Sequence, residues 1–143
     1  RKFHEAAKAK KPTVTCWGTG KPLREFMHVH DLGNAVLFAL EHWSPSSEDA
    51  PLDSKGIPLT LLNVGTGIDI SIKDLAQEIS KIAGFKGEIE WDNTKPDGTL
   101  KKQLDVSKLM SLGWKPKIEL KEGIINAISY FKKEVSENNF RET

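Results

Sequence analysis

Residues 17–31 constrain this chain more than any other segment. They hold a turn with two glycines, Gly18 and Gly20, then the segment's one arginine, Arg24, a short apolar alternation and a helix start. A guanidinium delivered by a tight turn onto a strand edge is well suited to grip a phosphate, because its planar fork matches paired oxygens. Residues 25–29 alternate as a strand does, Phe26 against Met27 and His28 against Val29. Asp31 stands where a side-chain cap for the next helix is expected. That helix carries Leu32, Ala35, Val36, Ala39, Leu40 and Trp43 at a 3.6-residue period.

The rest of the chain alternates in the same way. Residues 1–11 read as the tail of a helix, favoured by Ala6, Ala7 and Ala9, stopped by Pro12 and expected to begin upstream because no cap precedes it. Residues 13–17 form a short strand. Residues 44–59, with three prolines and four serines and no period, are a solvated loop insertion. Residues 60–64 read as a strand that ends in the turn Gly65-Thr66-Gly67. Ser71 to Asp74 is a variant capping box, with aspartate at the third helical position. Behind it Ile72, Leu75, Ala76, Ile79, Ile82 and Ala83 make a buried face, and Gly84 closes the helix. Residues 88–91 are a strand with Ile89 and Trp91 on one side. Residues 92–102 are polar and centred on a turn at Pro96-Asp97-Gly98. Asp105 caps a short helix that carries Val106, Leu109 and Met110 and ends at Gly113. A last helix, about 121–135, uses Ile124, Ile128, Phe131 and Val135, and residues 138–143 are expected to fray. Strands alternating with helices place the chain in the α/β class with some parallel pairing.

Composition narrows the partners. Twenty-one basic and 20 acidic residues leave a net charge of +1, which favours neither nucleic acid nor a membrane surface. Cys16 is the only cysteine, so neither an internal disulfide nor a multi-cysteine metal site is expected, and its β-branched neighbours mark it as a buried residue. No apolar run is long enough to span a bilayer and no secretory signal is visible, so a cytoplasmic protein is expected. Gly65-Thr66-Gly67 is too short for a phosphate loop and lacks the following Lys-Ser/Thr. His28 and His30, two apart on the expected strand, share one side but lack further ligands, so no metal site is expected.

Several segments together carry a resemblance. These are residues 1–6, Trp17-Gly18-Thr19-Gly20, Arg24-Glu25-Phe26-Met27-His28-Val29, Leu62-Asn63-Val64-Gly65-Thr66-Gly67, Lys95-Pro96-Asp97-Gly98-Thr99 and Leu112-Gly113-Trp114. In this order they resemble the C-terminal part of the extended short-chain dehydrogenase/reductases that act on nucleotide sugars. Residues 95–99, with Lys101, Leu104-Asp105 and residues 112–114, point to the branch that epimerises a GDP-keto-sugar at C3 and C5 and reduces it at C4. One departure is His30, where the family has an acid; helix capping is expected to change, not chemistry.

The resemblance implies an α/β, substrate-binding C-terminal region over residues 1–143 of a two-domain enzyme. It implies that NADP and all catalytic residues belong to an N-terminal Rossmann domain absent from this chain. In agreement, no glycine-rich dinucleotide fingerprint and no Tyr-x-x-x-Lys is present, the only tyrosine, Tyr130, being followed by Glu134. The chain alone is expected to be inactive. Its expected partners are a GDP-sugar, that Rossmann domain and, for the complete enzyme, a second copy in a homodimer.

The family's substrate-binding positions fall on Lys2, Trp17, Arg24 and Asp97. Arg24 would take the diphosphate; as an ordinary residue it would be a surface arginine or pair with Glu25 or Asp31. Lys2 would add charge, or Arg1 in its place, against the alternative of a solvated helix lysine. Trp17 would cover a sugar or nucleotide face, unless it is a core residue as Trp43 and Trp114 are expected to be. Asp97 would accept from hydroxyl or guanine donors, unless it only makes its turn. Lys95, Lys101 and Lys102 would form a positive rim. A UDP-sugar epimerase or dehydratase, and a stand-alone nucleotide-sugar-binding module, are the other readings.

Overall fold

A computed structural model describes residues 1–137; the fraying expected of residues 138–143 lies outside the described residues. In chain order the elements are α1 (Lys2–Lys8), β1 (Thr13–Trp17), β2 (Leu23–Glu25), α2 (Val29–His42), β3 (Asp69–Ser71), α3 (Ile72–Ala83), β4 (Glu88–Asp92), β5 (Lys101–Lys102), α4 (Ser107–Ser111) and α5 (Leu120–Ser136). They fall into two compact units. The first holds Arg1–Arg24, Ile70–Lys101 and the chain from Leu120; the second holds Glu25–Asp69 and Lys102–Glu119. β3, β2 and β5 form a small sheet in that order.

The first unit is built on β1 and β4, paired in parallel from Thr13↔Glu88 to Trp17↔Asp92. Alternation along β1 turns Val14 inward, where it meets Phe3 and Ala6 of α1, Ala76 of α3 and Phe85. The Phe3 and Phe85 rings pack 5.7 Å apart, tilted by 56°. α1 ends before the proline: Lys10 adopts a left-handed φ of +50° and the Lys11 N–H reaches back to the Ala6 carbonyl at 2.9 Å. Ser71 caps α3 as its sequence implies, accepting the Asp74 N–H at 3.0 Å. The reciprocal arm differs from a capping box, because the Asp74 carboxylate takes the Ser71 hydroxyl at 2.6 Å and not a backbone N–H. The next donors of α3, Ile72 N–H and Lys73 N–H, go to the carbonyls of Pro22 (3.0 Å) and Gly20 (2.9 Å). That anchors the glycine turn on the helix end.

The second unit has its own core of Ala35, Leu109 and Trp114, flanked by Met27, Phe38, Leu62 and Val64. Here several expectations need correction. β2 stops at Glu25 and α2 begins at Val29, capped by His28, whose Nδ1 accepts the His30 N–H at 3.2 Å. His28 and His30 therefore sit at a helix start and not on a strand. Asp31 is not the cap. It is almost fully buried, and one carboxylate oxygen accepts the N–H groups of Lys117 (3.1 Å) and Ile118 (2.9 Å). Along the apolar stripe of α2 Ala35 is covered, while Leu32, Val36 and Leu40 are exposed. Residues 60–64 form no strand ladder; Asn63 instead donates to the Asp105 carbonyl at 3.0 Å. Within residues 44–59 Asp53 organises a turn by accepting the N–H groups of Lys55 and Ile57, and Leu52 bridges to Pro58. The Asp105 carboxylate accepts the Ser107 N–H at 2.9 Å as α4 begins.

Candidate functional site

In the first unit, the turn after β1 and the segment after β4 are clasped together by one side chain. Asp97 accepts the Thr19 N–H through Oδ1 at 2.8 Å and the Thr19 hydroxyl through Oδ2 at 2.5 Å. The turn that presents Thr19 needs its two glycines. Gly18 and Gly20 have φ of +76° and +73°, and a β-carbon on Gly18 would collide with the Asp97 carboxylate. The expected tight turn at Pro96-Asp97-Gly98 is not formed. The chain reverses earlier, at residues 92–95, where the Lys95 N–H meets the Asp92 carbonyl at 3.2 Å and the Asp92 carboxylate takes the N–H and hydroxyl of Thr94. Asp97 is thereby released from turn-making and faces Thr19. The two bonds from Thr19, the hydroxyl above all, hold its carboxyl below the ordinary aspartate range.

Two further side chains converge on residues 95–98. Trp17 is no core residue: 72% of its surface is exposed, and the Lys95 ammonium stands 5.8 Å from its ring centroid. Arg24 is half-buried. Its Nη1 donates to the Leu23 carbonyl at 2.6 Å, and its Nη2 lies 3.1 Å from where a Gly98 β-carbon would stand, so the guanidinium takes up space that a side chain at residue 98 would need. Neither suspected carboxylate partner is at its disposal. Glu25 is taken up by the N–H groups of Thr66, Gly67 and Leu104, and Asp31 by those of Lys117 and Ile118.

Lys2 lies on α1 with its ammonium on the Thr15 carbonyl at 2.5 Å, two residues before Trp17. Arg1 pairs with Glu5 at 2.8 Å. Of the four residues expected from the sequence, Trp17, Arg24 and Asp97 are thus joined through residues 95–98, and Lys2 is tied to β1. Lys101 and Lys102 lie exposed in β5. Thr19 was not among the expected residues; its only local signal is a hydroxyl set between two glycines.

The remaining motifs do not add a cofactor site. The N–H groups of Thr66 and Gly67, which a phosphate loop would present, both point at the Glu25 carboxylate, the second at 2.8 Å. Gly65-Thr66-Gly67 therefore does not fit a dinucleotide phosphate. Among the described residues no group of three or more His, Cys, Asp or Glu side chains is placed to hold a metal, and no helix is long and apolar enough to cross a membrane. Cys16 is half-buried, and burial pushes its thiol up, away from the reactive thiolate.

Comparison with known proteins places this geometry. Residues 1–50 match the NAD dependent epimerase/dehydratase family. The probable GDP-L-fucose synthase 1 of Oryza sativa subsp. japonica is 43% identical over 131 residues, which are 92% of this chain and 36% of that protein. A GDP-6-OMe-4-keto-L-xylo-heptose reductase from C. jejuni superimposes with a TM-score of 0.82 at 36% identity, over 94% of this chain and 46% of that one. A GDP-mannoheptose C4 reductase from Campylobacter jejuni, solved with NADP bound, gives 0.78 at 38% identity over 92% and 42%. Over most of its length the chain is similar to these proteins, and it has the α/β fold of extended short-chain dehydrogenase/reductases. The relatives it matches are GDP-L-fucose synthases and GDP-sugar reductases, and what it matches is the C-terminal part of those longer proteins. It spans little more than a third of the rice protein's length.

Proposed function

We propose that this chain is the GDP-sugar-binding part of a GDP-L-fucose synthase. The complete enzyme would convert GDP-4-keto-6-deoxy-D-mannose to GDP-L-fucose, by epimerisation at C3 and C5 and NADPH-dependent reduction at C4. Residues 1–143 would act as one substrate-binding region, with residues 44–59 as a loop insertion. NADP and the reacting groups would be held by an N-terminal Rossmann domain, and the complete enzyme would work as a homodimer.

The observation that carries this reading is the meeting of Arg24, Trp17 and residues 95–98 in one unit. Arg24 has a half-buried guanidinium, no carboxylate partner among the described residues, and Gly98 against it. Such a group suits a diphosphate, which accepts two parallel N–H bonds and carries the compensating charge. The exposed Trp17 ring offers a flat apolar face to a base or sugar, Lys2 of α1 adds a positive charge where its ammonium meets the Thr15 carbonyl of β1, and Asp97 holds residues 95–98 to the Thr19 turn. Affinity for the nucleotide end then serves to orient the reacting sugar.

The test is calorimetric titration with GDP and with UDP. The reading expects GDP to bind the better of the two, and Arg24→Ala to weaken GDP binding by about ten- to a hundredfold, the range of a lost charged hydrogen-bond pair. Equal binding of UDP would favour a UDP-sugar enzyme. NADPH-dependent turnover by residues 1–143 alone would refute the assignment of catalysis to another part. A GDP-keto-heptose reductase is the second reading, favoured by the superposition at a TM-score of 0.82. Turnover of the complete enzyme on GDP-4-keto-6-deoxymannose against a GDP-keto-heptose separates the two.

A further inference from the structure

We propose that Asp97 serves this site as a positioning residue and not as a ligand of the nucleotide: clasped by Thr19, it fixes residues 95–98 so that Lys95 stands over Trp17 and Gly98 backs Arg24. The proposal rests on the GDP-binding reading above and assigns the work within it.

Three contacts carry it. Both oxygens of Asp97 are engaged by a single residue, at 2.8 and 2.5 Å, which is the geometry of a clamp. Gly18 leaves no space between the turn and the carboxylate, since a β-carbon there would overlap it. The residues on either side of this anchor then reach the two recognition groups: Lys95, two positions before, lies on the Trp17 face, and Gly98, one position after, lies against the Arg24 guanidinium. Residues 96–99 are exposed, running between the Asp92–Lys95 turn and the Leu100 carbonyl, which accepts the Leu23 N–H at 2.8 Å.

The physical gain is pre-organisation. Lysine and arginine side chains lose much rotamer freedom when a ligand fixes them. A clamp that sets the segment beforehand removes part of that loss from the binding step. The clamped segment thus carries a cation on the Trp17 face at Lys95 and meets the Arg24 guanidinium at Gly98. Threonine supplies both donors, a backbone N–H and a hydroxyl, and only the hydroxyl can be removed by substitution.

The experiment is a double-mutant cycle on GDP affinity, with Thr19→Val, Asp97→Ala and the pair, and Thr19→Ser as the conservative variant. The expected result is that each single change weakens GDP binding about tenfold, as loss of a charge-assisted hydrogen bond would. The double change is expected to weaken it no further, and Thr19→Ser to bind as the unaltered protein does. If Asp97→Ala costs the same factor in the Thr19→Val background as alone, Asp97 contacts the nucleotide itself and the proposal fails; it also fails if Thr19→Val binds GDP normally.

A second measurement needs no ligand. Acrylamide quenching of Trp17, isolated by difference from Trp17→Phe, is expected to rise in Thr19→Val as Lys95 leaves the ring, and unchanged quenching overturns the proposal. The parent reading fails separately and visibly: the unaltered protein would not bind GDP, or Arg24→Ala would bind it undiminished, and the positioning role would fall with it.

Discussion

The Trp91 ring fills the space that a β-carbon on Gly20 would need, with Cη2 2.7 Å from that position and two further ring atoms at 2.9 Å. Gly20 also has a φ of +73°, which side chains rarely adopt. Gly20→Ala therefore combines left-handed strain with a steric clash against a half-buried indole. It is expected to destabilise the protein by about 2–4 kcal/mol, read from urea unfolding. Gly33→Ala is the matched control: it lies inside α2 with nothing within 4 Å of the added carbon, and is expected to stabilise by about 0.5–1 kcal/mol. Equal effects would mean that the Trp91 contact is not what requires glycine at position 20.

What the sequence revealed and what it hid divide along one physical line. α3 was legible because all its signals are local: the Ser71 cap, the 3.6-residue stripe and the left-handed Gly84. β1 and β4 were legible from alternation around Val14, Ile89 and Trp91. The misreadings come from side chains claimed by distant partners. Asp31 looks like a cap but is held by residues 86 and 87 positions later. Asp97 looks like a turn-maker but is held by Thr19, 78 positions earlier. The period of α2 was legible from its apolar stripe, but period alone does not say which of those residues are covered. In the candidate site, Trp17 and Arg24 stood out by residue type and turn context. The clasp that links them could not be read, since nothing local pairs Thr19 with Asp97.

Asp31 supports a second prediction. Its one carboxylate oxygen satisfies two backbone N–H groups, and the residue is 1% exposed. Asp31→Ala leaves both donors without an acceptor in a site closed to water, at about 1–3 kcal/mol each. Asp31→Asn keeps a neutral oxygen in place and is expected to cost only about 1–3 kcal/mol in all, the difference between charged and neutral acceptors. Chemical denaturation of the two variants checks the order. Asn as damaging as Ala would mean that charge near the start of α2, and not the two bonds, is what counts.

Glu25 offers a sharper test of hydrogen-bond bookkeeping. One of its oxygens accepts from Thr66 and Gly67, and the other from Leu104 at 3.2 Å. Glutamine has one acceptor oxygen and one amide that only donates. In Glu25→Gln the oxygen is expected to stay with the two turn N–H groups, leaving the amide against Leu104. Amide hydrogen exchange should therefore accelerate at Leu104 by about tenfold or more while Thr66 and Gly67 change little, in keeping with loss of one bond to a charged acceptor. Acceleration at all three amides would show that the turn depends on the charge itself.

The Thr19–Asp97 clasp also fixes a pH dependence with a definite sign. The Asp97 carboxyl is held below the ordinary aspartate value, first by the Thr19 hydroxyl, then by the Thr19 N–H, with the Lys21 charge assisting. A group whose value is lowered by folding contributes to stability in full above its unfolded value, about 3.9 for aspartate, and loses that contribution as pH falls through the lower, folded one. The clasp is therefore expected to stay intact from neutral pH down to about pH 4 and to open only below it. Carboxyl-carbon NMR titration is expected to place the Asp97 midpoint below those of unpartnered aspartates. Thr19→Val should move it up, because the largest lowering influence is gone, and Lys21→Ala should move it up by less. A midpoint that ignores Thr19→Val would mean that the hydroxyl does not hold the carboxylate, and the order of these influences would have to be reversed.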